Sequence, residues 1–176
     1  MTGMTEPDVE AATAGLVAWK VRVRDGEARE FLDSTVQRAE STGAVVLVLR
    51  GDMVFGADHL RSALYHASRA TAEGRNASDS IAMETLLYAS GERQLGSAIK
   101  KMAADGSVEE LVVAKLAGSG FEPEPGWTEL QAVDEDVSVE RLTRFGLSPE
   151  ELGTVRKGRP ADLVLERVAA VDILKR

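Results

Sequence analysis

Apolar and polar positions alternate from Leu16 to Val23. Val17, Trp19, Val21 and Val23 fall on one face and Lys20 and Arg22 on the other, which predicts a half-buried strand. After the turn residues Asp25-Gly26 the period changes. Ala28, Phe31, Leu32, Thr35, Val36 and Ala39 recur three and four apart, the stripe of an amphipathic helix ending near Thr42-Gly43. Ala44 to Leu49 is a continuous, β-branched apolar run stopped by Arg50-Gly51-Asp52, the pattern of a strand covered on both faces. Three helical patterns then crowd into residues 55–103. The first carries Leu60, Ala63, Leu64, Ala67 and Ala70. The second is capped by Ser78 or Asp79, carries Ile81, Met83, Leu86 and Leu87, and stops at Gly91. The third carries Leu95, Ala98, Ile99 and Met102.

Leu111 to Leu116 reads as another buried strand and Trp127 to Val133 as an edge strand. The Gly- and Pro-rich GSGFEPEPG between them is loop. Val139 to Phe145 is a short helix ended by Gly146, Ser148-Pro149 starts a second, and Asp162 to Lys175 forms the last. The order β-α-β-α-α-α-β-β-α-α-α predicts one mixed α/β domain over residues 15–176. A small central mixed β-sheet is expected, packed with several α-helices and preceded by a flexible tail over residues 1–14.

Composition narrows the functional classes. With 44% apolar residues among 176, the chain can bury a sizeable core, and it has no cysteine for disulfides or thiolate metal sites. No apolar run approaches the roughly 18 residues of a membrane span. The opening MTGMTEPDVEAA lacks a basic-then-apolar signal pattern, so a cytoplasmic location is expected. The net charge of −8 comes with 6 Lys against 15 Arg. Abundant acid with scarce lysine is the expectation for a halophilic protein, since concentrated salt shortens the reach of charge repulsion to a few Å.

Catalytic chemistry is sought and not found. His59 and His66 are seven residues apart, about 10 Å along a helix, too far to share a metal. Nothing resembles a nucleophile elbow. Gly118-Ser119-Gly120 precedes Phe-Glu-Pro-Glu-Pro rather than a helix, so no helix start faces a phosphate there. No catalytic residue, cofactor or metal ligand is expected.

Local charge is more informative. Residues 55–103 hold five acids and six bases, a net +1 that leaves −9 for the remainder. In so acidic a protein this helical region is a candidate contact for an anionic ligand, or simply a less acidic face. Ala89, Ser90, Gly91, Gly96, Ser97 and Ala98 leave the backbone around its second joint thinly covered, open to a planar base, to a partner helix or to close helix packing.

At this joint the residues resemble a known family. The pattern is Gly56…His59-Leu60…Ala63…Ala67, then Ser80…Met83-Glu84…Leu86-Leu87-Tyr88-Ala89-Ser90-Gly91…Arg93-Gln94-Leu95…Ala98-Ile99. It resembles the PRPK-binding-protein family of archaea and eukaryotes, the Cgi-type small subunit of the KEOPS (EKC) complex. The resemblance continues weakly into VLERVAAVDILKR. It implies a non-catalytic accessory subunit of the complex that makes threonylcarbamoyl-adenosine in tRNA. Such a subunit binds a kinase-like ATPase subunit and, in archaea, captures the single-stranded CCA 3′ end of tRNA. It meets the threonylcarbamoyl-transferase subunit only indirectly.

By the same resemblance, nucleic-acid contacts are expected at Ser90, Gly91, Arg93, Gln94, Lys100, Lys101 and Met102. Lysine and arginine would meet phosphates, Ser90 and Gln94 base edges, and Met102 a base face. Arg75 is a further candidate for phosphate, and Glu84 is expected to tie down the joint. The broad apolar surface of the last helix is the candidate partner face, with Leu163, Val164, Val168 and Val171 as contacts. The alternative is a regulator of the ATPase subunit that works by protein contact alone and never touches RNA.

Overall fold

A computed structural model describes residues 10–11, 13–155 and 159–175. Of the tail expected over residues 1–14, residues 1–9 and 12 lie outside that description. Glu10, Ala11, Thr13 and Ala14 have helical backbone. The expected element order is found: β1 (Val17–Arg22), α1 (Ala28–Thr42), β2 (Val45–Arg50), α2 (Ala57–Ala72), α3 (Ile81–Ser90), α4 (Leu95–Met102), β3 (Glu110–Ala117), β4 (Thr128–Glu129), α5 (Val139–Phe145), α6 (Pro149–Thr154) and α7 (Ala161–Leu174). A 3₁₀ turn, Gly51–Met53, follows β2.

The class is mixed α/β, but the sheet differs from the mixed pairing expected of it. Its order is β2-β3-β1-β4 and every pairing is antiparallel. The crossover through α1 makes β1 and β2 parallel to each other, yet they never pair because β3 is inserted between them, a split βαβ arrangement. Both sheet faces are covered. Leu16, Ala18, Leu47, Leu49, Val112, Ala114 and Leu116 face α2, α3 and α7. Trp19, Val21, Leu111 and Val113 face the other way, with Ala39 of α1 and Phe121. β1 is therefore buried on both sides at Ala18 and Trp19, rather than on one.

β4 is only two residues long. Beyond it the chain leaves the sheet and pairs with the start of α2. The Ala57 N–H donates to Gln131 O at 2.8 Å, the Asp58 N–H to Ala132 O at 2.9 Å, and the Asp134 N–H to Phe55 O at 3.2 Å. Gly56 permits this approach: its φ is +115°, and a Cβ there would lie 2.4 Å from Ala132 O. Arg141 of α5 fastens the same loop, donating to Asp134 Oδ2 at 2.9 Å, to Asp136 O and to Val54 O.

The helices stop and start where local chemistry dictates. α3 is capped by Ser80, one residue beyond the expected pair, and ends at Gly91 with φ +68°. α6 carries a capping box between Ser148 and Glu151 with Pro149 in its first turn. α7 packs on α2 and α3 through Leu163, Val164, Val168 and Val171, all buried. Each such side chain contributes about 1.5–3 kcal/mol.

Candidate functional site

The joint between α3 and α4 is built largely from inward-facing groups. The Ser90 hydroxyl donates to Leu87 O at 2.7 Å and accepts from the Glu92 N–H at 3.1 Å, and the residue is 0% exposed. It closes the end of α3 and has no face left for a base, a correction to the expected role. Lys101 reaches back from α4, donating to Ser90 O at 2.6 Å and to Glu92 Oε1 at 3.2 Å, with its ammonium 4.0 Å from the centre of the Phe145 ring. Burial pushes its pKa down, and the Glu92 carboxylate works against that shift. Lys101 is a strut of the joint. Met102 is fully buried in the core, so the expected base platform is absent at that residue.

His59 props the joint from beneath. Its Nδ1 accepts from the Phe55 N–H at 3.2 Å, which fixes the proton on Nε2, and Nε2 donates to Ala89 O at 2.8 Å. Desolvation lowers its pKa to about 4, although the Ala89 carbonyl favours the charged form and nearby Lys101 disfavours it. His59 is neutral at pH 7.

The outer half of the joint has a different character. Arg93, Gln94, Gly96, Ser97 and Lys100 are exposed, and Ile99 is 40% exposed beside them. Arg93, Lys100 and the distant Arg29 are the cations without an ion pair, hydrogen bond or ring contact among the described residues. Every other described arginine and lysine is engaged. No side chain caps the start of α4, and no acid stands in its first turn. The Ser97 and Ala98 N–H groups bond Gln94 O, and the positive end of the helix dipole has neither an acid nor a side-chain cap over it. A Cβ on Gly96 would meet nothing within 4 Å, so the backbone is open there. A cleft of about 200 Å³ adjoins this surface, walled by Gly91, Arg93, Lys101, Phe145, Arg167 and Leu174.

Of the expected nucleic-acid residues, then, Arg93, Gln94 and Lys100 are exposed, and Gly91 is half-buried and walls the cleft with Arg93. Ser90, Lys101 and Met102 form the foundation of the joint. Ile99 was missed. Ile99 and Met102 both read as apolar positions of α4, and only the placement of α4 on the core tells them apart. Arg75 is occupied by Glu73 and by Asp172 at 3.4 Å, and holds the α2–α3 linker to α7. Glu84 ties down this same linker rather than the joint. Fully buried, it accepts from the Ala77 N–H at 2.9 Å and the Ser78 N–H at 3.0 Å, and pairs with Lys175.

The last helix also divides differently from expectation. Leu163 is 6% exposed and Val164, Val168 and Val171 are 0% exposed, so these four are core and cannot be partner contacts. The outward stripe is Leu165, Ala169 and Ile173, four residues apart, with Ile173 71% exposed and Leu174 37%. The final turn is locked in place through Asp172, which accepts from Tyr88 Oη at 2.5 Å and bonds His66 Nδ1 at 2.8 Å. Burial works to raise the Asp172 pKa, yet Tyr88, His66 and Arg75 together hold it below the usual carboxylate range.

Among the described residues no group of three or more His, Asp or Glu is arranged to hold a metal ion, and no helix is long and apolar enough to cross a membrane. No curated protein matches the chain significantly. The family model for the kinase binding protein CGI-121 matches residues 24–156, from the end of β1 through α6. That span includes both sides of the α3–α4 joint and most of the sheet. The chain belongs to the CGI-121 family of kinase-binding proteins.

Proposed function

We propose that this chain is a non-catalytic, tRNA-binding accessory subunit of the KEOPS complex. It captures the unpaired CCA 3′ end at the α3–α4 joint and docks on the kinase-like ATPase subunit through α7. The observation that carries the RNA half is the pair of unengaged cations, Arg93 and Lys100, beside an uncapped helix start, where every other described cation except the distant Arg29 is engaged. Phosphate is repelled by a net charge of −8 but attracted where local cations have no carboxylate partner. Gln94 is free to bond a base edge, and Ile99 beside open Gly96 offers an apolar rest for a base face, a contact worth about 1–3 kcal/mol where stacking is good.

Removing the CCA end from tRNA is expected to weaken binding at least roughly tenfold, about 1.4 kcal/mol. Arg93→Glu with Lys100→Glu should do the same to intact tRNA and flatten the salt dependence, because each lost phosphate contact removes about 0.7–0.9 from the log–log slope. Filter binding across a salt series measures both. Equal affinity for intact and truncated tRNA would leave a regulator that acts by protein contact alone.

The family supports a kinase partner, and the outward stripe of half-buried Leu165 and exposed Ala169 and Ile173 supports α7 as its seat. Ile173→Arg is expected to release the ATPase subunit in co-purification without lowering the melting temperature, since the side chain is 71% exposed. Undiminished co-purification would place the partner on another face.

A further inference from the structure

We propose that the groove between the start of α2, the 132–137 loop and the start of α7 receives an arginine side chain from the kinase-like partner and anchors it. The proposal rests on the partner half of the reading above and adds the chemistry of the contact. The groove encloses about 630 Å³. Its walls are apolar, formed by Phe55, Val137, Leu165 and Val133, the last 51% exposed at the mouth. Its rim is acidic. Asp58, Glu135 and Asp162 line it, and the single cation there among the described residues, Arg159, is already paired with Asp162 at 3.0 Å. Asp134 is turned inward and neutralised by Arg141 at 2.9 Å and Lys20 at 3.8 Å.

Two of the rim carboxylates remain available. Glu135 is exposed and has no ion-pair partner among the described residues. Asp58 shares its charge with Arg61 at 3.0 Å in a pair about half exposed on both sides, an arrangement weak enough to be re-shared. Deep apolar walls beneath a negative rim suit one common side chain. An arginine can lay its methylene stem along Phe55, Val137 and Leu165 and turn its planar fork of donors to the rim carboxylates. A purely apolar anchor would bury carboxylates without partners, and a phosphate would be repelled, so this groove is not a continuation of the RNA surface. His59 at the groove floor has both nitrogens occupied and takes no part.

The groove and the docking stripe are continuous. Leu165 is both a wall of the groove and the first residue of the stripe that runs on through Ala169 to Ile173. One partner footprint can therefore cover both, with the arginine at its anchored end, where such residues dominate interface energies.

The test uses the full chain and the kinase-like ATPase subunit of the same source, with calorimetry for affinity. Glu135→Lys is expected to weaken the partner at least tenfold while leaving the melting temperature and tRNA affinity unchanged. Glu30→Lys, which makes the same charge change on α1 across the sheet, should leave partner affinity within twofold. In parallel, the methyl signals of Val133 and Leu165 should shift on titration with Nα-acetyl-arginine methylamide and stay still with the isosteric citrulline derivative. If Ile173→Arg releases the partner while Glu135→Lys does not weaken it, the groove lies outside the footprint and the proposal is overturned with the docking face intact. If neither variant has an effect, the partner face itself is wrong. Equal losses from Glu135→Lys and Glu30→Lys would reduce the effect to overall charge and overturn the anchor as well.

Discussion

Glu84→Ala is expected to destabilise the domain by about 3–5 kcal/mol, the usual cost of removing one partner from a buried ion pair. The carboxylate is fully buried between the α2–α3 linker and the end of α7. Its loss leaves two linker N–H groups without an acceptor. It also leaves the Lys175 ammonium, whose side chain is 9% exposed, with only the face of Tyr88 at 4.8 Å among the described residues. The cost is therefore mostly that of stranded partners rather than of the missing contact. Glu84→Leu combined with Lys175→Met should recover much of the stability, because an apolar pair needs no desolvation of charge. Urea unfolding of the three proteins measures this. A single-variant loss below 1 kcal/mol would mean that the pair is not the clasp the geometry describes.

Acidification provides the second large effect. The folded domain holds His59 neutral with a pKa of about 4, against an ordinary imidazole value of 6.5. Between those values the unfolded chain binds a proton that the folded one refuses, so stability rises with pH through the window and is complete above it. Relative to pH 7, the loss from this residue is about 2 kcal/mol at pH 5 and about 3 kcal/mol at pH 4. The interval from pH 6.5 to 5 precedes most carboxylate titration. Asp134 and Asp172, whose folded pKa values are depressed, contribute stability that is lost lower, as pH falls through those values. His59→Gln should be less stable at neutral pH and show a flatter slope above pH 5. A wild-type stability that stays level from pH 7 to 5 would contradict the buried neutral imidazole.

Much of the architecture was legible in the sequence because it is written in short-range chemistry. Gly91 ends α3, Ser148-Pro149 opens α6, and the helical runs became the helices expected of them, while of the strand expected over Trp127 to Val133 only Thr128–Glu129 formed. What remained hidden depends on placement. Lys100 and Lys101 are adjacent letters with opposite fates, one exposed and the other a strut under Ser90, because about 100° of helix rotation separates them. α7 is apolar nearly all round, so periodicity could not say which side faces inward. Leu163, Val164, Val168 and Val171, expected as partner contacts, are buried, and Ala169, Ile173 and Leu174 are the apolar residues that α7 leaves exposed. Glu84, expected to tie down the α3–α4 joint, holds the α2–α3 linker instead, and no local pattern pairs it with Lys175, ninety-one residues on. The antiparallel sheet was hidden for a related reason: no local pattern records that β3 wedges between β1 and β2.

That wedge has a consequence for the order of assembly. β3 is the hub of the sheet, pairing Val17 with Lys115 on one flank and Val46 with Lys115 on the other, yet it is made after both strands it joins and after all of α2, α3 and α4. A nascent chain that has not reached Ala117 holds two outer strands with nothing to bridge them, and their apolar edges stand open meanwhile. Closing the sheet requires contacts of long sequence separation, the slow class of folding event. The nascent protein therefore passes through a stage in which its helices can form while its sheet still lacks a centre.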